Sequence, residues 1–196
     1  MHVFDTLPED YRELFTIHLQ KDKKLALIIN IGALVLGVLM AVPAHLFYQP
    51  ISTLFDVSGG WGLYWGRLGV LILGEIAYII LHELVHGITM KRFGAKRVKY
   101  GFTGLYAFAG SDEFFDKKSY LTVALAPVVV WGIVLLLLQF LVPAPWFWVV
   151  WAIQIGNISG AAGDAYVTWK FSSLPADILV SDCGVGMTVY TRQTIE

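Results

Sequence analysis

Four stretches of this chain are apolar over the length a bilayer demands, and no other feature restricts its fold as strongly. They run from about Leu25 to Ala44, Gly62 to Met90, Tyr120 to Leu141 and Trp146 to Trp169. A helix needs about 20 apolar residues to cross the hydrocarbon layer. Hydrophobic residues make up 57% of the chain and charged residues 15%, whereas a soluble domain carries about a quarter charged residues. The expected fold is an all-α polytopic membrane protein with four transmembrane helices. The first stretch does not read as a signal peptide, because its apolar core exceeds the 7–15 residues of such a segment. Three parts are expected: a cytoplasmic leader over 1–24, a four-helix membrane domain over 25–170, and a cytoplasmic tail over 171–196.

Basic residues set the expected orientation. Lys21, Lys23 and Lys24 flank the first stretch, and seven Lys and Arg residues from Lys91 to Lys118 fill the loop after the second. The connections near 45–61 and 142–145 contain no Lys or Arg. The positive-inside rule then places both termini and the basic loop in the cytoplasm, most simply of a prokaryote with its single cytoplasmic membrane. Trp61, Tyr64, Trp65, Trp146 and Trp148 mark the outer interface, and Arg67 is expected to snorkel toward it. In the leader, Glu9 to Leu19 reads as a short amphipathic helix with Leu14, Phe15, Ile17 and Leu19 against the headgroups. His2 and His18 belong to this leader. In the basic loop, Val98 to Thr103 and Leu105 to Ala109 are β-prone and separated by Gly104, which predicts a small cytoplasmic β-hairpin between the second and third helices. Such a hairpin either offers an edge strand to an extended peptide or folds back onto the bilayer. Ile178 to Val180 and Met187 to Tyr190 suggest a second strand pair. One cysteine, Cys183, excludes an internal disulfide and a cysteine-rich zinc site. The net charge of −1 says little about partners, and no nucleic-acid partner is expected.

The second stretch contains His82-Glu83-Leu84-Val85-His86. Two histidines four residues apart lie on one helix face and can share a metal ion, with the glutamate between them acting on a water at that metal. Ionisable groups in an apolar segment are costly and usually functional. A hydrolytic zinc site needs a third protein ligand at the same depth. Counted from the cytoplasmic lysines, His86 lies five residues before Lys91 and Asp164 six before Lys170, roughly 8 and 9 Å in a helix. Asp164 is therefore the candidate third ligand for Zn2+ beside His82 and His86. Asp112, Glu113, Asp116, Asp177 and Asp182 are alternatives that read as solvated loop residues. Gly156, Ser159, Gly160 and Gly163 would let helices approach closely around Asp164. Glu75 lies seven residues before His82, and Asn157 seven before Asp164. With Gln154 they suggest a polar ladder between the second and fourth helices, either interhelical hydrogen bonding or, at Asn157, a group that holds a substrate carbonyl or oxyanion.

These features resemble the intramembrane zinc metalloproteases of the site-2 protease type, in which a HExxH helix, an intervening helix and an aspartate-bearing helix form the core. The resemblance covers roughly 62–170. More closely, the chain resembles the small four-helix zincin peptidases of the family DUF3267, through HELVHG, the Ala124-Leu125-Ala126-Pro127 run and GNISGAAGDAY. It departs from the site-2 pattern in lacking a proline after Asn157 and in placing Ala165 after Asp164. The resemblance implies an intramembrane zinc metallopeptidase that cuts membrane-anchored peptides or proteins near the cytoplasmic face. Glu83 would activate a zinc-bound water and pass its proton to the leaving amine. The alternatives are a non-catalytic metal-binding scaffold and a metal-dependent hydrolase of a non-peptide substrate.

Overall fold

Runs of Leu, Ile, Val and Ala with few polar interruptions build long helices here. The computed structural model describes residues 3–18, 21–104 and 106–192. In chain order the elements are β1 (Val3–Phe4), β2 (Tyr11–Ile17), α1 (Lys23–Pro43), α2 (Trp61–Arg92), β3 (Lys99–Phe102), β4 (Ala107–Asp116), α3 (Lys117–Leu141), α4 (Phe147–Gly160), α5 (Ala162–Ser172), β5 (Leu179–Asp182) and β6 (Met187–Arg192). Among the described residues three helices are long and apolar enough to cross a membrane: Lys23–Tyr48, Trp61–Arg92 and Lys117–Leu141. Their leucines, isoleucines and valines dominate the exposed large hydrophobics. An apolar surface on that scale is stable against lipid and not against water, which makes this a membrane protein.

The all-α, four-span expectation is corrected in two ways. The segment 146–169 is not one spanning helix. It divides at Ala161 into α4, 14 residues long, and α5, 11 residues long. Gly160 and Gly163 flank the break, with Asn157 and Ser159 just before it, and these are poor helix formers that sustain no continuous span. The second correction is a six-stranded antiparallel sheet, ordered β1-β4-β5-β6-β2 with β3 on β4.

The leader, expected to be helical, supplies β2. Tyr11 to Ile17 pairs with Met187 to Arg192 of β6. Aromatic and β-branched residues gain more from cross-strand neighbours than from a lone amphipathic helix. The expected hairpin forms as β3 against the first half of β4, turning at Gly104 with φ +90°. Its second strand runs on to Asp116, where β5 and β1 pair with it. The expected tail pair forms as β5 and β6. The readings that rest on His2, Leu19 and Leu105 lie outside the described residues.

The chain divides into two compact units. The first comprises Met1–Ile28, His82–Pro127 and Gly163–Glu196. Its core joins Ile17, Phe115, Val180 and Val189 of the sheet to Met90, Tyr120, Val123, Val167 and Phe171 of the helices. The second comprises Ile29–Leu81 and Val128–Ala162. Its core includes Leu54, Phe147, Trp148 and Val149, and a further group of Tyr78, Leu135, Val150 and Ile153. There Arg67 does not snorkel. It is buried, and its guanidinium donates to the carbonyls of Thr53 and Asp56. The turn supplies acceptors that the expected snorkelling would have found in water.

Candidate metal centre

The first unit gathers the HExxH residues and Asp164. On α2, His82, His86 and Met90 are spaced by four and share one helix face. Met90 is 1% exposed, so its burial turns that face toward the core of the unit. On α5, Asp164, Val167 and Phe171 also share a face. Val167 and Phe171 sink into the same core and carry Asp164, in the first turn of α5, with them. The helix break at Ala161 matters for this placement, because it starts a new helix just before the carboxylate.

Asp164 Oδ2 lies 3.4 Å from His82 Nε2 and 3.7 Å from His86 Nε2. The candidate ligand atoms of the three residues all lie within 4.8 Å of one another. Zinc bonds of about 2.0 Å at tetrahedral angles separate ligand atoms by roughly 3.3 Å. The two measured separations are close to that figure. Two imidazole nitrogens and one carboxylate oxygen are also a donor set that suits zinc and leaves a fourth position open. His86 Nδ1 lies 2.9 Å from the Val123 carbonyl. As its donor it would fix the tautomer that leaves Nε2 free to ligate. Both histidines are buried and Asp164 is partly exposed.

Glu83 belongs to a different face of α2. Its carboxylate lies near the Ala109 backbone of β4. Tyr100 of β3 pairs with Ala109, and its hydroxyl rests against Gly87, where any Cβ would collide with it. Glu83 and Gly87 are one turn apart, so the β3–β4 hairpin lies along the Glu83 side of the helix. The chain reaches β3 from α2 through Gly94, whose φ of +111° ends the helix after Lys91 and Arg92.

The other sequence candidates fall elsewhere. Asp112 is exposed and paired with Lys99. Asp116 accepts the Ser119 N–H at the start of α3. Glu113, expected to be solvated, is buried, accepting the Lys96 and Arg97 N–H groups and the Ser111 hydroxyl. Asp182, also expected to be solvated, accepts the Tyr120 hydroxyl at 2.7 Å and the Gly184 N–H at 2.8 Å. Burial pushes its carboxyl above the usual carboxylate range, against the pull of those two hydrogen bonds. Sequence reading missed the Tyr120–Asp182 pair. The available signal was Asp182 at the end of the apolar Ile178 to Val180 run, where a strand would bury it.

Asn157 lies in the second unit. Its Oδ1 accepts the Tyr78 hydroxyl, and its Nδ2 donates to the Val128 carbonyl and to Gln154 Oε1. Gln154 Nε2 in turn donates to the Gly132 carbonyl. Glu75 approaches Gly156, where an added Cβ would stand 2.9 Å from its Oε2. The amides thus form a hydrogen-bonded cluster within that unit.

Residues 76–179 match the family DUF3267, described as "Putative zincin peptidase". The matched region includes His82, Glu83, His86 and Asp164. Over 125 residues the chain is 32% identical to a protein of Pyrococcus woesei named "Uncharacterized 24.7 kDa protein in gap 5'region". That similarity covers 61% of this chain and 54% of the relative, so the chain spans about half the length of the curated relative it matches. No solved structure matches. The family's description implies zinc as the metal and peptide hydrolysis as the class of reaction, which agrees with the donor set. The match extends over more than half of the sequence, and the chain therefore belongs to the DUF3267 family of zincin-type peptidases.

Proposed function

We propose that this protein is an intramembrane zinc metallopeptidase that cuts membrane-associated peptides near the cytoplasmic face of the bilayer. The observation that carries the reading is the convergence of His82, His86 and Asp164 within 4.8 Å, with Glu83 next to His82 on the adjoining side of α2. His82, His86 and Asp164 would hold Zn2+. The ion, when bound, supplies Lewis acidity toward water and the scissile carbonyl. Glu83 accepts the proton of the attacking water and delivers it to the leaving amine.

The β3–β4 hairpin supports a peptide substrate. Among the described residues β3 pairs with β4 alone. Its other edge is available for an extended chain to add by main-chain hydrogen bonds. Tyr100 and Phe102 on this strand are exposed, at 49% and 69%, and suit an apolar or membrane-embedded peptide. The basic loop that carries the hairpin supports the cytoplasmic assignment.

The test compares wild type with Glu83→Gln, measuring bound zinc together with the membrane peptides that accumulate in cells. The expected result is unchanged zinc stoichiometry and a loss of cleavage of about 10²-fold or more, the scale of general acid–base catalysis. Full zinc in both forms with identical membrane peptidomes would favour the non-catalytic metal-binding reading.

A further inference from the structure

We propose that the cleft between the end of β2 and the start of α1 binds a phosphate group, carried by an anionic phospholipid at the membrane surface. The cleft has a volume of about 400 Å³ and lies within the first unit, lined by His18, Lys21, Asp22, Leu25, Tyr166 and Lys170 among others. It lies apart from the metal-ligand cluster in its residues, and the inference is independent of the peptidase reading.

Three observations converge on an anion. Lys170 Nζ sits over two aromatic rings, 4.6 Å from the Phe15 centroid and 5.8 Å from that of Tyr166. No ion pair joins Lys170 to a carboxylate among the described residues. The rings hold the ammonium in place without cancelling its charge. Asp22 is the acidic residue in the lining, and its Oδ1 is occupied with the Leu25 N–H at 2.9 Å, capping α1. Lys21 adds a second ammonium to the lining.

The position of the cleft favours a lipid as the source. Leu25 in its wall opens the apolar run of α1, whose most apolar window is 0% buried within the protein. The cleft thus lies where the chain leaves the headgroup layer. Basic pockets beside spanning helices at that depth suit anionic headgroups.

The experiment uses the full chain in detergent and counts retained lipid by native mass spectrometry, with dioleoyl phosphatidylglycerol against dioleoyl phosphatidylcholine. Wild type should retain the anionic lipid preferentially. Lys21→Gln and Lys170→Gln should each weaken that retention about fivefold. Lys170→Arg should preserve it. Lys118→Gln, at an exposed lysine beginning another spanning helix, should leave it unchanged. Lys21 is exposed, so its variant tests the site even if Lys170→Gln fails to fold. Equal retention of the two lipids by wild type overturns the proposal. So does an equal loss in Lys118→Gln, which would mean diffuse charge in place of a built site. Millimolar glycerol 3-phosphate distinguishes the sources. Retention that survives it supports the lipid headgroup, and displacement supports a phosphate site open to soluble phosphate esters.

Discussion

Asp164 has neighbours that suit a carboxylate only if a positive charge joins them. Its Oδ2 faces two Nε2 atoms at 3.4 and 3.7 Å, and a partly buried anion beside neutral imidazoles is costly unless a cation or proton completes the group. Removing it should remove the metal. Asp164→Ala is expected to lose most bound zinc, measured by elemental analysis of purified protein, while Asp112→Ala, at an exposed residue paired with Lys99, should retain it. Zinc at full stoichiometry in Asp164→Ala would defeat the ligand assignment. The nearness of Asp164 to the histidines was legible in sequence, because two helices counted back from Lys91 and Lys170 reach a common depth. The burial of Glu113 and Asp182 was not. Each takes, besides a donor two residues away, others farther along the chain: Lys96 and Arg97 for Glu113, Tyr120 for Asp182. Local polarity gives no hint of such partners.

At the scale of elements, the contact between α2 and the β3–β4 hairpin is close at Gly87. A Cβ at Gly87 would overlap the Tyr100 hydroxyl and ring. Gly87→Ala should destabilise the protein by no more than about 1 kcal/mol, because the half-exposed Tyr100 side chain can swing aside and alanine is the better helix former. Thermal melting in detergent would register this as a lowered Tm, and adding Tyr100→Ala should restore part of it. An unshifted Tm in Gly87→Ala would show that the hairpin does not rest on the helix there. The three long helices were readable from apolar length alone. The β2 strand was not, because Leu14, Phe15 and Ile17 suit either an interfacial helix or a strand. Tyr190 and Val189 across the sheet, far along the chain, decide the matter. The break at Ala161 is only partly legible, for a different reason. The small residues around it permit close helix packing and also let the helix loosen, and their sequence alone does not say which effect prevails.

At the scale of the molecule, the candidate ligands come from two separate chain segments of the first unit, His82–Pro127 and Gly163–Glu196. A metal shared between them would cross-link that unit and leave the second without a direct tie. Chelation should therefore raise amide exchange in α5, in the last turns of α2 and in the sheet, with little change in 29–81 and 128–162. Hydrogen exchange with and without a strong chelator gives the comparison. A uniform rise across both units would contradict a metal held within the first.

The pairing of β2 with β6 also sets an order in time. Thr16 and Thr188, whose hydroxyls lie 2.9 Å apart, are 172 residues apart along the chain. A strand made first must wait for one made 172 residues later, and contacts so distant in sequence form slowly. The core that orients His86 and Asp164 includes Val189 of that late strand. A nascent chain would thus carry His82, Glu83, His86 and Asp164 before β6 exists to complete the core around them, so the candidate site forms only once β6 has been made.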